Sequence, residues 1–121
     1  MPIKTILVID DSPTERYILS QLLEGGGYEV TTAESGEEGI ERAKQLKPDL
    51  ILMDVVMPGT NGFQATRALS KDEATKDIPV IICTTKSQET DRVWGLRHGA
   101  QDYVTKPVDG PALLAKIAAL G

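Results

Sequence analysis

The sequence predicts an α/β fold, a doubly wound sheet of five parallel strands with helices on both faces. Short apolar runs rich in β-branched residues alternate five times with segments of helical spacing, which is the pattern of a parallel sheet with helical crossovers. Two of these runs, at 50–53 and 80–83, are apolar at every position, as in strands that are covered on both faces. Crossovers between parallel strands are right-handed, and an open doubly wound sheet follows.

The predicted strands are short and bounded by turn residues. Cys83, the only cysteine, lies within the fourth run, so we expect a small buried thiol with no disulfide. The five predicted strands are TILVID (5–10), EVTTA (29–33), LILMD (50–54), PVIICT (79–84) and DYVTK (102–106).

The first predicted helix has clear signals at both ends. Ser12 is a good N-cap, Pro13 suits the first helical position, and Glu15 is placed to complete a capping box. The three glycines at 25–27 end the helix.

The later helices follow from apolar spacing and from glycine or proline near their ends. On the fourth helix, Val93, Leu96 and Ala100 are expected to face the core, with Trp94 to one side. The charged stretch at 70–77 is expected to be an exposed loop. These four helices are predicted from Ser35 to before Lys47-Pro48 and at about 62–69, 88–97 and 111–120.

Composition and charge limit the kind of protein that this sequence encodes. With 121 residues, 40% hydrophobic and 26% charged, we expect one domain over 1–121 and no output domain. The net charge is −5, from 18 acidic and 13 basic residues, and we expect no nucleic-acid partner. No apolar run is long enough to span a membrane, and the start has no signal region. These features predict a cytoplasmic protein without membrane insertion.

Polar side chains follow four of the five predicted strands, all at the same edge of the sheet. Asp10 and Asp11 end the first strand, Asp54 the third, Thr84 the fourth and Lys106 the fifth. Each residue alone has an ordinary structural role, such as a turn or a solvated loop charge. In open α/β sheets, however, ligands bind outside the carboxyl ends of the strands. Because the fold brings all five residues to one place, we interpret them as a single site.

Three carboxylates and a cation in one pocket indicate a particular chemistry. The carboxylates cannot all stay ionised without a counter-charge, and a hard divalent cation with oxygen ligands, Mg²⁺, would supply it. An aspartate can attack phosphorus and become an acyl phosphate. The metal, a lysine and a hydroxyl would then share the charge of the phosphoryl oxygens.

Four stretches, LVIDDS, LILMDVVMPGTNG, VIICTT and DYVTKPV, occur in this order along the chain. With them the sequence resembles the receiver (CheY-like) domains of two-component response regulators over almost its whole length. The resemblance implies a flavodoxin-like sheet with strand order 2-1-3-4-5 and a histidine kinase as phosphodonor. It implies that Asp54 is the phosphoacceptor and that Asp10, Asp11, Asp54 and the backbone carbonyl of Val56 hold Mg²⁺. Asp11 would be the direct ligand, with Asp10 acting largely through water.

The resemblance assigns further roles on the other side of the pocket. Thr84 and Lys106 would bind the phosphoryl group, and the peptide bond between Lys106 and Pro107 would be cis. Thr84 and Tyr103 would form a switch. An unidentified downstream protein would read this switch on the face made by the fourth helix, the fifth strand and the fifth helix.

Longer stretches that include surface loops, among them DDSPTERY and IPVIICTTKSQETDRVWG, are similar to stand-alone regulators of type IV pilus twitching motility. We therefore expect a phosphorylation-switched regulator that is not a turnover enzyme. The alternatives are a phosphate sink for a shared kinase, an aspartate-nucleophile phosphohydrolase and a flavin carrier. Such a phosphohydrolase has a second aspartate two residues after the nucleophile, and this sequence has Val56 at that position. A flavin carrier expects a phosphate-binding loop where the acidic DDSPTE stands.

Overall fold

A computed structural model describes residues 2–120 and shows five strands alternating with five helices. Every predicted element is present, and its ends lie within two residues of those expected from the sequence. In chain order the elements are β1 (Thr5–Ile9), α1 (Pro13–Gly25), β2 (Glu29–Ala33), α2 (Gly36–Leu46), β3 (Leu50–Met53), α3 (Gly62–Lys71), β4 (Val80–Thr84), α4 (Glu89–Arg97), β5 (Asp102–Thr105) and α5 (Gly110–Leu120).

All five strands are parallel and lie in the order β2-β1-β3-β4-β5, which confirms the predicted doubly wound, flavodoxin-like sheet. In the pairing of β1 with β3, Ile9 lies opposite Met53. The residues that follow these two, Asp10 and Asp54, therefore leave the sheet side by side. The carboxyl ends of the five strands share one edge, as the sequence predicts.

The sheet separates two layers of buried apolar side chains. Beneath α1 and α5 lies one core cluster, and beneath α2 and α3 lies the other. On this second face α4 covers β4 and β5, where Ala100 is buried as expected. Burial of these side chains is the main source of stability. Representative buried residues are Val8, Leu23 and Ile117 in the first cluster, and Ile9, Ala43 and Leu69 in the second.

The first turn of α1 differs from the predicted capping box. Ser12 caps the helix, since its Oγ accepts a hydrogen bond from the Glu15 backbone N–H at 3.3 Å. The Ser12 N–H, which the Glu15 carboxylate was expected to bind, instead donates to Asp10 Oδ1 at 2.9 Å. A complete capping box occurs at α3, between Asn61 and Gln64.

The prediction that Val93 and Leu96 face the core is wrong. Their exposed fractions are 40% and 43%, and that of Trp94 is 55%. The buried position of α4 is Gly95, where a Cβ would lie only 2.7 Å from Ile82 Cδ1. Glycine thus brings α4 close to the sheet, and this contact turns the larger side chains of the helix outward.

Two smaller expectations have different outcomes. Cys83 is buried, as predicted. The stretch at 70–77 is not simply an exposed loop, because α3 extends to Lys71 and Thr75 is buried. The Thr75 hydroxyl donates to the Leu69 carbonyl at 2.7 Å, which holds this stretch against the end of α3.

Candidate functional site

Asp10 and Asp54 stand next to each other because the sheet continues past the ends of β1 and β3. The Asp54 N–H donates to the Ile9 carbonyl at 2.9 Å, and the Asp10 N–H donates to the Ala33 carbonyl at 3.1 Å. These backbone bonds fix where both side chains begin. Both carboxylates are buried, with Asp10 1% and Asp54 8% exposed.

Asp11 follows Asp10 and is exposed beside the same pocket. One carboxylate oxygen from each of Asp10, Asp11 and Asp54 lies within 4.8 Å of the other two. A donor set made only of oxygen suits a hard cation, and Mg²⁺ in particular is bound through few carboxylates while it keeps several waters. The three residues therefore fit the predicted ion.

The loop after β3 presents a backbone carbonyl close in sequence to Asp54. The Val55 carbonyl accepts from the N–H groups of Met57 and Gly62, at 3.0 and 3.1 Å. Within residues 2–120 the Val56 carbonyl accepts no backbone hydrogen bond, so its predicted role as a ligand stays a prediction that no contact opposes. Gly62 permits this tight loop, because a Cβ there would collide with the Asp54 carbonyl oxygen.

Lys106 brings a positive charge to the carboxylates from the end of β5. Its N–H donates to the Thr84 carbonyl at 2.8 Å, which keeps it beside β4, and the Lys106–Pro107 peptide bond is cis. The ammonium Nζ lies 2.6 Å from Asp10 Oδ2 and 3.9 Å from Asp54 Oδ2. Only 7% of the Lys106 side chain is exposed, so this ion pair is largely screened from water.

The electrostatics of the pocket follow from burial and from these charges. Burial raises the pKa of Asp54 above its ordinary value, the charge of Asp10 raises it further, and Lys106 opposes both. Burial alone would lower the pKa of Lys106, but its hydrogen bond to Asp10 and the charge of Asp54 raise it. Lys106 is therefore a cation at neutral pH, and the two buried carboxylates depend on it for counter-charge.

Thr84 and Tyr103 meet through the backbone of the loop after β4. Both side chains are buried, and Tyr103 packs with Val55 and Ile82. The Tyr103 hydroxyl donates to the Lys86 carbonyl at 2.7 Å, while the Lys86 N–H donates to Thr84 Oγ1 at 3.5 Å. Burial raises the pKa of Tyr103 to about 12, so the phenol keeps its proton. Sequence reasoning paired these two residues but did not identify Lys86 as the link.

Two residues of α1 that the sequence reasoning did not assign to the site also reach it. Glu15 Oε1 lies 3.4 Å from Lys106 Nζ. Arg16 donates through Nη1 to the Asp10 carbonyl at 2.8 Å and pairs through Nη2 with Glu34 at 3.4 Å. Both residues lie in the quoted stretch DDSPTERY, but a glutamate at that position predicts a helix cap, and that interpretation hid its contact with Lys106.

Several known proteins are similar to this chain in sequence or fold. Residues 6–118 match the response regulator receiver domain. Protein PilH of Pseudomonas aeruginosa is 61% identical over 115 residues, which cover 95% of each chain. The phosphate regulon transcriptional regulatory protein PhoB of the same organism is 42% identical over 97% of this chain, which spans about half (51%) of PhoB. The structure of the chemotaxis protein CheY4 of Vibrio cholerae superposes with a TM-score of 0.91 at 30% identity and covers 98% of this chain and 99% of CheY4.

The chain belongs to the response regulator receiver domain family. The predicted family and the predicted class of function, a phosphoacceptor response regulator, are confirmed at this level. None of these matches favours the phosphohydrolase or the flavin carrier. Among residues 2–120, no helix is long and apolar enough to cross a membrane.

Proposed function

We propose that Asp54 accepts a phosphoryl group from the phosphohistidine of a histidine kinase. The observation that carries the proposal is the convergence of three carboxylates within 4.8 Å, with the nearly buried Lys106 ammonium beside two of them. Of the two buried carboxylates, Asp54 is the better suited to be the nucleophile. Both Asp10 oxygens are engaged, by Lys106 and by the Ser12 N–H, whereas Asp54 Oδ2 lies 3.9 Å from Lys106.

In the proposed transfer, a carboxylate oxygen of Asp54 forms a bond to phosphorus while the bond from phosphorus to the donor histidine nitrogen breaks. The leaving imidazole keeps the electron pair. Lys106 and the Thr84 hydroxyl then donate hydrogen bonds to the phosphoryl oxygens, an arrangement that is strong because the acceptor is charged. Each chain takes up one phosphoryl group, so the protein is a regulator rather than a turnover enzyme.

We further propose that Asp10, Asp11, Asp54 and the Val56 carbonyl hold Mg²⁺. When bound, this ion supplies positive charge to the phosphoryl oxygens and relieves the repulsion among the carboxylates. Support comes from the oxygen-only donor set and from the raised pKa of Asp54, which reflects burial and the neighbouring Asp10. A site with that electrostatic cost favours an incoming cation.

The signal is proposed to leave through α4, β5 and α5. A phosphoryl group that draws the Thr84 hydroxyl toward Asp54 would pull on Lys86, whose carbonyl holds the Tyr103 hydroxyl. The exposed Val93, Trp94 and Leu96 of α4 are the apolar surface that a downstream protein would read. The 61% identity to PilH and the similarity to twitching-motility regulators support a role in type IV pilus motility.

Intact-mass measurement tests the phosphoacceptor proposal. The protein is incubated with a small phosphodonor, with and without Mg²⁺, and the wild type should gain one phosphoryl group only when Mg²⁺ is present. Asp54→Asn should gain none, whereas Asp77→Asn, an exposed acid before β4, should label as the wild type does. Labelling of Asp54→Asn at the wild-type rate would overturn the assignment.

Amide hydrogen exchange tests the switch. Beryllofluoride with Mg²⁺, which mimics a phosphoryl group, should change exchange around residues 85–107. Thr84→Ala should shrink that change, and Thr85→Ala, an exposed neighbour, should not. Changes confined to the loops after β1 and β3 would instead favour a phosphate sink without a switched surface.

A further inference from the structure

The Glu15 carboxylate is not used by the helix on which it stands. Glutamate at the third position of a helix ordinarily binds the N–H of the capping residue. Here the Ser12 N–H is taken by Asp10 Oδ1 at 2.9 Å, while Ser12 Oγ still caps the Glu15 N–H at 3.3 Å. Glu15 thus keeps its place in the first turn, but its carboxylate points to a different partner.

That partner is the ammonium of Lys106. Glu15 Oε1 lies 3.4 Å from Lys106 Nζ, which is closer than the 3.9 Å that separates Nζ from Asp54 Oδ2. The Glu15 side chain is 32% exposed, whereas that of Lys106 is 7% exposed. A half-exposed carboxylate at the border of the pocket therefore shares a nearly buried cation with Asp10.

We infer that Glu15 is a positioning residue that holds Lys106 toward Asp10 and away from any anion on Asp54. The inference rests on the proposed function, in which Lys106 must pair with the phosphoryl group. The attraction of Asp10 and Glu15, which lie 2.6 and 3.4 Å from the ammonium, opposes that pairing. Glu15 thereby sets how readily the unmodified pocket accepts an anion.

Removal of the Glu15 charge should change the affinity for an anion on Asp54 and the affinity for Mg²⁺ in opposite directions. An anion on Asp54 would lose a competitor for Lys106 and a nearby repulsive charge, so it would bind more tightly. Lys106, freed from Glu15, would pair more fully with Asp54, one of the carboxylates that Mg²⁺ needs. Mg²⁺ would therefore bind more weakly. A role limited to helix capping would change stability without producing this divergence.

The test measures Mg²⁺ affinity, and beryllofluoride affinity at saturating Mg²⁺, for three variants and the wild type. Glu15→Gln should bind beryllofluoride about threefold more tightly and Mg²⁺ about threefold more weakly, the size expected of a partly exposed ion pair. Glu15→Asp, which keeps the charge but is one methylene shorter, should shift both affinities in the same directions. Glu24→Gln, which removes the same charge at the far end of α1, should match the wild type.

The outcomes separate this inference from the function on which it rests. Absence of beryllofluoride binding to the wild type would overturn the proposed function itself. Wild-type binding with unchanged affinities in Glu15→Gln would overturn only the role of Glu15. If Glu15→Asp matched the wild type while Glu15→Gln shifted, the effect would be one of distant charge, and the positioning role would be wrong.

Discussion

Asp49 and Asp54 flank the same four-residue strand, β3, yet their carboxylates lie in opposite environments. Asp49 Oδ2 accepts hydrogen bonds from the backbone N–H groups of Lys4 and Thr5, at 2.9 and 3.1 Å, and these bonds lower the pKa of Asp49. Burial and the charge of Asp10 raise the pKa of Asp54. The charged form is therefore stabilised at one end of the strand and destabilised at the other.

A structural carboxylate and a reactive one differ in this fold by the groups that stabilise their charge. At the amino end of the strand, fixed backbone donors satisfy Asp49, which ties the segment before β1 to the start of β3. At the carboxyl end, Asp54 shares a single side-chain cation with Asp10, and its ionised form remains unfavourable. A bound metal ion can offset that charge, whereas the Asp49 carboxylate is already stabilised by its backbone donors.

The largest expected effect comes from removal of the cation at the carboxyl edge. Lys106→Met leaves the buried carboxylates of Asp10 and Asp54 without counter-charge and should lower the free energy of unfolding by about 3 kcal/mol without Mg²⁺. Mg²⁺ should restore part of this loss, because it binds only the folded state. Urea denaturation measures both.

The matched control lies at the opposite edge of the sheet. Lys4 is exposed, and Asp49 keeps its backbone donors when the Lys4 side chain changes. Lys4→Met should therefore change stability by less than about 0.5 kcal/mol. If Lys106→Met and Lys4→Met lowered the free energy of unfolding equally, the two edges of the sheet would not differ in their need for a counter-charge.

Neutralisation of the two aspartates should change stability with opposite signs. Asp54→Asn removes an unfavourable charge but keeps an oxygen that can accept the Val55 N–H, so the metal-free protein should melt a few degrees higher. Asp49→Asn weakens two charge-assisted hydrogen bonds and, after solvent screening, should cost about 1 kcal/mol. Thermal unfolding in a chelating buffer measures both, and a shift of the same sign in both variants would contradict the comparison.

The stability changes in Asp54→Asn and Asp49→Asn should also depend on pH, and these effects are smaller. Because the pKa of Asp54 is raised in the folded protein, the gain in free energy of unfolding in Asp54→Asn should be full above that pKa. This gain should shrink as pH falls through the folded pKa and vanish below 3.8, the ordinary value. Because the pKa of Asp49 is lowered in the folded protein, the loss in free energy of unfolding in Asp49→Asn should be full above 3.8. This loss should fade only as pH falls through the lowered pKa of Asp49. Urea denaturation from neutral pH to about pH 3 measures the order in which the two effects disappear.

Much of the site was predictable because its residues follow from strand order. Each of Asp10, Asp54, Thr84 and Lys106 directly follows or ends a strand, and parallel strands place those ends on one edge. Helix ends were also predictable, since a capping residue such as Ser12 is a signal that lies at the end itself. Such features depend on a few neighbouring residues, so they can be predicted from the sequence before the packing of the chain is known.

The errors arose where a distant part of the chain decides the outcome. On α4 the apolar pattern favoured Val93 and Leu96 as core residues, but contact of Gly95 with Ile82 on β4 turns them to the surface. Glu15 left its predicted capping role because Lys106, from the other end of the chain, lies within reach. Neither the contact of Gly95 with Ile82 nor that of Glu15 with Lys106 can be predicted from the residues next to it in the sequence.

The most direct test of the central claim identifies the residue that carries the phosphoryl group. After incubation with a small phosphodonor and Mg²⁺, borohydride reduction converts a phosphorylated aspartate into homoserine, which peptide mass mapping locates. We predict homoserine at position 54 alone, with Asp49 unchanged at the other end of the same strand. Homoserine at Asp10, Asp11 or Asp49, with Asp54 intact, would contradict the account.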